Sequence, residues 1–376
     1  MTDHLSTLRT ELDAIDRDIV ALLEQRFAVT DRVAAYKNAH DIPLTDTSRE
    51  REVMDRIRSA TDHPVLKEHI TDIYERIISL NKTARLFKKH TELPFKRIGV
   101  IGLGMMGGSV LKALRMKGPD TPLFTLERDS EDVRLAREQG YLTDTCASWW
   151  ELASRCDLII LATPIDAVED AVKQISAAVP GDAEKPLVVI DLASVKTRIA
   201  STFAQATGTI EFLPTHPMAG SEKTGFAAAQ GMLYTGKPWV IAPHERNRSE
   251  TVERVSALVR YLGSVPVTLT PQEHDRQVAY ISHLVFMMSC YLYAFAQSHI
   301  PDAITIAGSG FRSMTRLASG SAEMHTSIVR ENYDNIAVAL MEFLSFVKEQ
   351  PLEEKELKSF FEETKAARDA YMAEMT

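Results

Sequence analysis

Lys96-Arg97-Ile98-Gly99-Val100-Ile101-Gly102-Leu103-Gly104-Met105-Met106-Gly107-Gly108 is the stretch that decides the fold. An apolar run of strand type, 97–101, breaks into closely spaced glycines, and 109–117 continues with helical character. Gly102, Gly104 and Gly107 stand at G-x-G-x-x-G spacing: a tight turn, then room for a pyrophosphate against the backbone, then close helix–strand contact. Together with Met105 and Met106 they open a helix whose N-terminal amides attract phosphate. A second apolar strand, 122–126, ends on Glu127, where a carboxylate accepts from ribose hydroxyls and repels a 2′-phosphate. That favours NAD, although the adjacent Arg128 could serve the extra phosphate of NADP.

Downstream, helical 130–139, strand 158–163, helical 166–178 and strand 187–191 follow in the order of a doubly wound parallel sheet. Ligands collect at the carboxyl ends of such strands, and Thr163 and Ser194 stand at two of them. Ser194 fits either the cleft or the cap of a helix beginning near Lys196. A strand at 211–214 runs into Thr215-His216-Pro217, which puts His216 at a strand end facing the nicotinamide side of the cleft. Imidazole is well matched to accepting a proton near neutral pH. Strands 239–242 and 265–269, with a helix at 249–262, complete this α/β domain, and Trp149 and Trp150 read as packing residues.

From Gln272 the composition turns helical, with an apolar stretch 278–298 and an amphipathic run 323–349. The weakly charged run 283–296 is too short to span a bilayer and reads as a buried helix. On the N-terminal side, Leu5, Leu8, Leu12, Ile15, Ile19, Leu22, Val29 and Val33 recur at helical spacing, predicting one helix of roughly 35 residues. Shorter helices follow at 48–59 and 66–88. The reading is therefore three domains: all-α 1–90, Rossmann-type 94–270 and all-α 271–376. A segment of some 90 residues cannot wrap so long a helix, which calls for a second copy or the next domain to cover it. Arg26 and Lys37 lie three turns apart on one face, whereas Arg9 is rotated by roughly 100°, so that Arg9 falls to another chain's site.

The net charge of −9 argues against nucleic-acid and anionic-membrane partners. Three cysteines without a C-x-x-C pair, and a charged N-terminal stretch unlike a signal peptide, point to a cytoplasmic protein with reduced thiols. Nothing in the spacing suggests a metal site.

Two family resemblances emerge. L-R-x-x-L-D-x-I-D from Leu8, L-L-x-x-R, V-A-x-x-K and D-T-S-R-E resemble the all-helical chorismate mutases. The resemblance implies an intertwined dimer rearranging chorismate to prephenate, with Arg9, Arg26, Lys37, Asp46, Arg49 and Glu50 binding substrate. In the third helix the family's serine and glutamine or glutamate align with Asn81 and Arg85. D-L-A-S-V-K at 191–196, T-H-P-M-A-G-S-E-K-T-G at 215–225 and G-x-G-F-R-x-x-T-R at 308–316 resemble the prephenate dehydrogenases, which include arogenate and cyclohexadienyl dehydrogenases. That resemblance implies NAD-dependent oxidative decarboxylation of prephenate to 4-hydroxyphenylpyruvate in tyrosine biosynthesis. It makes His216 the proton acceptor and Arg316 the carboxylate ligand; Ser194 and Ser221 position hydroxyl and nicotinamide, Glu222 guards the entrance or pairs with a basic partner, and His283 is a further substrate contact. His325 aligns where some relatives carry tryptophan. Tyrosine commonly inhibits the family, and a homodimer is implied; the alternative is an arogenate-preferring dehydrogenase whose helical module serves dimerisation or regulation only.

Overall fold

The computed structural model describes residues 2–42, 46–126, 130–179, 186–206, 210–220, 223–351 and 353–374. The chain opens with α1 (Thr2–Ala39), a rod of 38 residues and about 57 Å. Its apolar stripe, including Leu5, Leu12, Ile15, Ile19 and Leu22, is exposed in the single chain. α2 (Thr47–Arg58) is capped by Asp46, whose carboxylate accepts from the Arg49 amide, and α3 (Pro64–Lys88) starts on a proline that needs no amide partner there.

The middle of the chain alternates β1 (Ile98–Ile101), α4 (Met105–Lys117), β2 (Leu123–Leu126), α5 (Glu131–Glu138), β3 (Asp144–Cys146), α6 (Trp149–Arg155), β4 (Leu158–Leu161), α7 (Ile165–Ala178), β5 (Leu187–Asp191), α8 (Thr197–Gln205) and β6 (Ile210–Leu213). The strands form one parallel sheet in the order β3-β2-β1-β4-β5-β6. Helices cover both faces, so the central strands are apolar throughout instead of alternating with polar residues. Val100, Ile160 and Ile190 pack into one core layer, and Ile159, Leu161 and Val189 into the other. The strand order reverses between β1 and β4, which opens the crevice at their carboxyl ends.

The strands after β6 do not extend this sheet. β7 (Thr215–Pro217), β8 (Pro238–Ile241) and β9 (Val265–Thr268), with α9 (Ser249–Tyr261) between the last two, make a separate three-stranded sheet. β7 runs antiparallel to β8, pairing His216 with Val240. His216 therefore lies inside a short strand and not at a strand end. The reason is local: Pro214 has no amide to continue β6, and the Thr215 amide turns instead to Asp191 Oδ1, 3.0 Å away.

The C-terminal part begins with α10 (Pro271–Val278), started by a capping box between Thr270 and Glu273. A π-helical segment, Ala279–His283, joins it to α11 (Leu284–His299). The rod Pro271–His299 is thus 29 residues long, long and apolar enough to cross a membrane by length and composition, and 28% of its apolar window is buried. The expectation of a short, buried helix gives way to a long one with much of its apolar surface uncovered in one protomer. α12 (Ser309–Thr315), α13 (Ala322–Glu331), α14 (Tyr333–Glu349) and α15 (Glu354–Glu374) follow. The run 323–349 is not one helix; Asn332 interrupts it and spends its side chain on other elements. Trp149 packs on the core, but Trp150 is 63% exposed, against its reading as a packing residue. Cys146, Cys156 and Cys290 are free thiols.

Two seams join these parts. Lys117, at the end of α4, donates from Nζ to the carbonyls of Phe87 (2.6 Å), His90 (2.5 Å) and Tyr261 (2.5 Å), and lies over the rings of Phe87 and Tyr261. This fixes the last turn of α3 to the Rossmann-type core. The second seam is ionic: Arg198 of α8 reaches Glu331 at 2.5 Å, and Arg330 of α13 pairs with Asp166 of α7.

Candidate functional site

The glycine turn after β1 has the shape that a dinucleotide requires. Gly102 has φ +88°, and a Cβ there would stand 2.5 Å from the Ala162 carbonyl oxygen. A side chain on Gly107 would overlap the Gly102 carbonyl oxygen, so that residue serves the close approach of α4 to the turn. At Gly104, by contrast, an added Cβ meets nothing within 4 Å, leaving open space in front of the first amides of α4. Across the crevice the Thr163 hydroxyl is buried without a hydrogen-bond partner. An open glycine, a helix N-terminus and an orphaned hydroxyl fit the pyrophosphate of a dinucleotide. Met105 is buried, and the Met106 carbonyl accepts from the Tyr234 hydroxyl at 2.6 Å, which steadies the helix start. Glu127, with Arg128, lies outside the described residues.

His216 is the centre of a buried polar chain. Its Nδ1 lies 2.9 Å from His274 Nε2, and His274 Nδ1 lies 2.8 Å from Asp275 Oδ1. Asp275 also accepts the amides of Lys196 (2.7 Å) and Thr197 (2.8 Å), so it caps α8 from α10. That answers the question left by Ser194: the cap comes from Asp275, and Ser194 sits half-buried in the turn after β5. Burial first, then the neighbouring His274, Lys196 and His283, hold His216 well below the ordinary histidine range, so its ring is neutral at neutral pH. Burial would raise the Asp275 carboxyl, but its hydrogen bonds with His274 and with the residues at 196 and 197 hold it below the ordinary range.

Beneath His216 lies a fully buried ion pair. Lys196 donates to Asp191 and, at 2.7 Å, to the Thr215 carbonyl. Burial lifts Asp191 and depresses Lys196, each against the attraction of the other. The pair anchors β7 to the end of β5.

His283, at the end of the π-helical segment, is buried, and its Nδ1 lies 3.1 Å from Asn332 Nδ2. Burial pushes its pKa down to about 4. Arg316 is exposed in the turn after α12, which is tied to α11 by the Ala318 amide donating to Ser289 at 3.1 Å. The turn that carries Arg316 thus packs on the rod that carries His283. His325 stacks on Phe286 with ring centroids 3.3 Å apart. Ser221 and Glu222 lie outside the described residues.

The mutase-type residues divide in two. Arg26 and Arg85 are half-buried, and Arg26 Nη1 and Arg85 Nε are buried without hydrogen-bond partners. Lys37 lies 3.9 Å from Asp46, and Glu50 pairs with Lys82 at 3.0 Å. Asn81 is buried and donates to the Ile77 carbonyl at 2.9 Å, while Arg49 is exposed and bonds Glu52 at 2.8 Å. Arg9 is exposed on the far half of α1, about 25 Å along the helix from Arg26. Sequence reasoning missed Lys82, His274, Asp275 and Asn332; the signal for two of them was the Glu-His-Asp step just inside the capping box.

Comparison with known families settles the assignment. Chorismate mutase type II matches residues 8–85; the nucleotide-binding domain of prephenate dehydrogenase matches 110–268, and its dimerization domain 270–363. The chain is a type II chorismate mutase domain fused to a prephenate dehydrogenase. The T-protein of Haemophilus influenzae is 22% identical over 89% of this chain and 84% of its own length. The chorismate mutase of Methanocaldococcus jannaschii is 34% identical over 22% of this chain and 84% of its own. The crystal structure of prephenate dehydrogenase from A. aeolicus, in complex with hydroxyphenyl propionate and NAD+, superposes with a TM-score of 0.66 at 25% identity. That match covers 73% of this chain and 98% of that one.

Proposed function

We propose that the chain rearranges chorismate to prephenate in its helical N-terminal domain and oxidatively decarboxylates prephenate with NAD in the cleft around His216. The observation that carries this reading is His216 itself, a neutral imidazole held by a buried relay in the part of the chain that also builds the dinucleotide turn. NAD, when bound, supplies the hydride acceptor. His216 takes the proton of the ring hydroxyl as that carbon becomes a carbonyl. The C1–carboxylate bond then breaks, carbon dioxide leaves, and its electron pair completes the aromatic ring as the oxygen regains a proton. Arg316 holds a substrate carboxylate, and Ser194 and Ser221 orient hydroxyl and nicotinamide. At the mutase site no covalent step is needed. The unpartnered nitrogens of Arg26 and Arg85 support binding of a dianion and of the charge that develops on the breaking ether oxygen.

The exposed stripe of α1 and the position of Arg9 favour a homodimer in which Arg9 completes the partner's mutase site. A cytoplasmic location and inhibition by tyrosine belong to the same reading. The test is NADH formation from chorismate and from prephenate, in wild type and in His216→Ala. Turnover of both substrates, with both lost in the variant while prephenate still forms from chorismate, is expected. NADH from arogenate alone, or full activity in His216→Ala, overturns the reading.

A further inference from the structure

Asp275 is bound at both its carboxylate and its main-chain carbonyl, and each contact runs to a different histidine. The carboxylate accepts from His274, so a neutral His274 has its one proton on Nδ1 and a lone pair on Nε2. His216 Nδ1 lies 2.9 Å from that nitrogen, so it must be the donor, which leaves Nε2 of His216 as an acceptor. The Asp275 carbonyl, which can only accept, takes a proton from Asn332 Nδ2 at 2.7 Å. The Asn332 amide is held in that sense from its other side as well, since Asn335 Nδ2 donates to Asn332 Oδ1 at 2.8 Å. Asn332 Nδ2 therefore also donates to His283 Nδ1, 3.1 Å away, and the single proton of neutral His283 is forced onto Nε2.

We propose that Asp275 is the positioning residue of the dehydrogenase site: through His274 and Asn332 it sets two neutral imidazoles in opposite tautomers, His216 as acceptor and His283 as donor. The pairing suits the reaction. An acceptor is required where a hydroxyl proton leaves, and a donor where a carboxylate or carbonyl oxygen is held. Asp275 also caps α8, so the same carboxylate sets the relay and holds the C-terminal helices against the nucleotide-binding domain. This inference rests on the proposed role of His216 in the oxidation of prephenate, but the tautomers can be read without any turnover.

The experiment is a ring-nitrogen NMR spectrum of the full-length protein carrying 15N-histidine, paired with steady-state kinetics on prephenate. Wild type should show His216 protonated on Nδ1 and His283 on Nε2. In Asp275→Ala no acceptor faces His274 Nδ1, because the Oδ1 that takes it is gone, so the protons of His274 and His216 should each distribute over both ring nitrogens. kcat should fall by about 10³–10⁴-fold, the scale set by a wrong-tautomer relay, with KM changed less than about threefold. Asn332→Ala should release the His283 tautomer, leave that of His216, and raise KM by about 10- to 100-fold, as for loss of a hydrogen bond to a charged group. A wild-type His216 protonated on Nε2, or on both nitrogens, overturns the proposal even if Asp275→Ala does not fold. So does an Asp275→Ala variant with unchanged tautomers and kcat. A wild type with the expected tautomers but no activity on prephenate would sink the functional reading and leave the tautomer assignment standing.

Discussion

Gly107→Ala and Gly104→Ala should separate two properties that the glycine turn combines. A methyl group on Gly107 would overlap the Gly102 carbonyl oxygen and stand 2.8 Å from the Ala162 Cβ. Carbon pairs rest at about 3.5–4.0 Å, so α4 has to withdraw from β1 and β4 by roughly 1 Å. Overpacking on that scale costs about 1–3 kcal/mol, and withdrawal carries the helix N-terminus away from the phosphate position. A methyl group on Gly104 meets nothing within 4 Å, and the backbone φ of −65° there suits alanine. Its structural cost is a poorer helix cap, below about 1 kcal/mol, but the methyl group occupies the space that a pyrophosphate would take. All three tryptophans, Trp149, Trp150 and Trp239, lie in the nucleotide-binding part, so urea unfolding followed by their fluorescence reports on it. Gly107→Ala should lose both stability and NAD binding. Gly104→Ala should keep its unfolding midpoint near that of wild type yet bind NAD at least about tenfold more weakly. Equal losses of stability in the two variants, or unchanged NAD affinity in Gly104→Ala, would refute the reasoning.

Acid should destabilise the dehydrogenase part in a defined window. His283 takes up its proton near 6.5 when unfolded and only at about 4 when folded, so stability is complete above 6.5 and drains away as pH falls toward 4. The loss is on the order of 3 kcal/mol, and the depressed His216 adds to it in the same direction. Denaturant titrations from pH 7 to 4.5 should show it, with a shallower slope in His283→Asn; a flat profile in both proteins contradicts the burial argument. At the mutase site, Arg9→Ala and Arg26→Ala should each abolish chorismate turnover. A mixture refolded together should recover about a quarter of it, because half the dimers are mixed and each holds one intact site. No recovery would place Arg9 and Arg26 in the same protomer's site.

The dinucleotide turn was legible because glycine spacing, strand and helix all fall within some twenty residues, where local chemistry dictates the backbone. The separate sheet was not, because β7 is three residues long and its pairing with β8 spans loops whose length carries no periodic signal. His216 could be singled out, but its partners could not. Glu273-His274-Asp275 reads as the polar first turn of a capped helix, and only the packing of α10 on α8 turns those side chains inward. Asn332 was hidden in the same way, since a single amide inside an amphipathic run does not announce a break. In the N-terminal domain helical angle put Arg26 and Lys37 on one face and the family resemblance made them site candidates, whereas the Lys82–Glu50 pair joins two helices and leaves no mark in the periodicity.

The two seams respond to different solvent variables. Lys117 is held by three neutral carbonyls and two ring faces, with no counter-charge among the described residues for dissolved ions to screen. Arg330–Asp166 is an exposed ion pair within reach of screening by salt, whereas Arg198–Glu331 is shielded on its buried Glu331 side. Ionic strength therefore works as a selective key: it weakens the Arg330–Asp166 part of the lock across the oxidation cleft, while the buried Asp275 cap there and the Lys117 clasp on the mutase bundle are left unchanged.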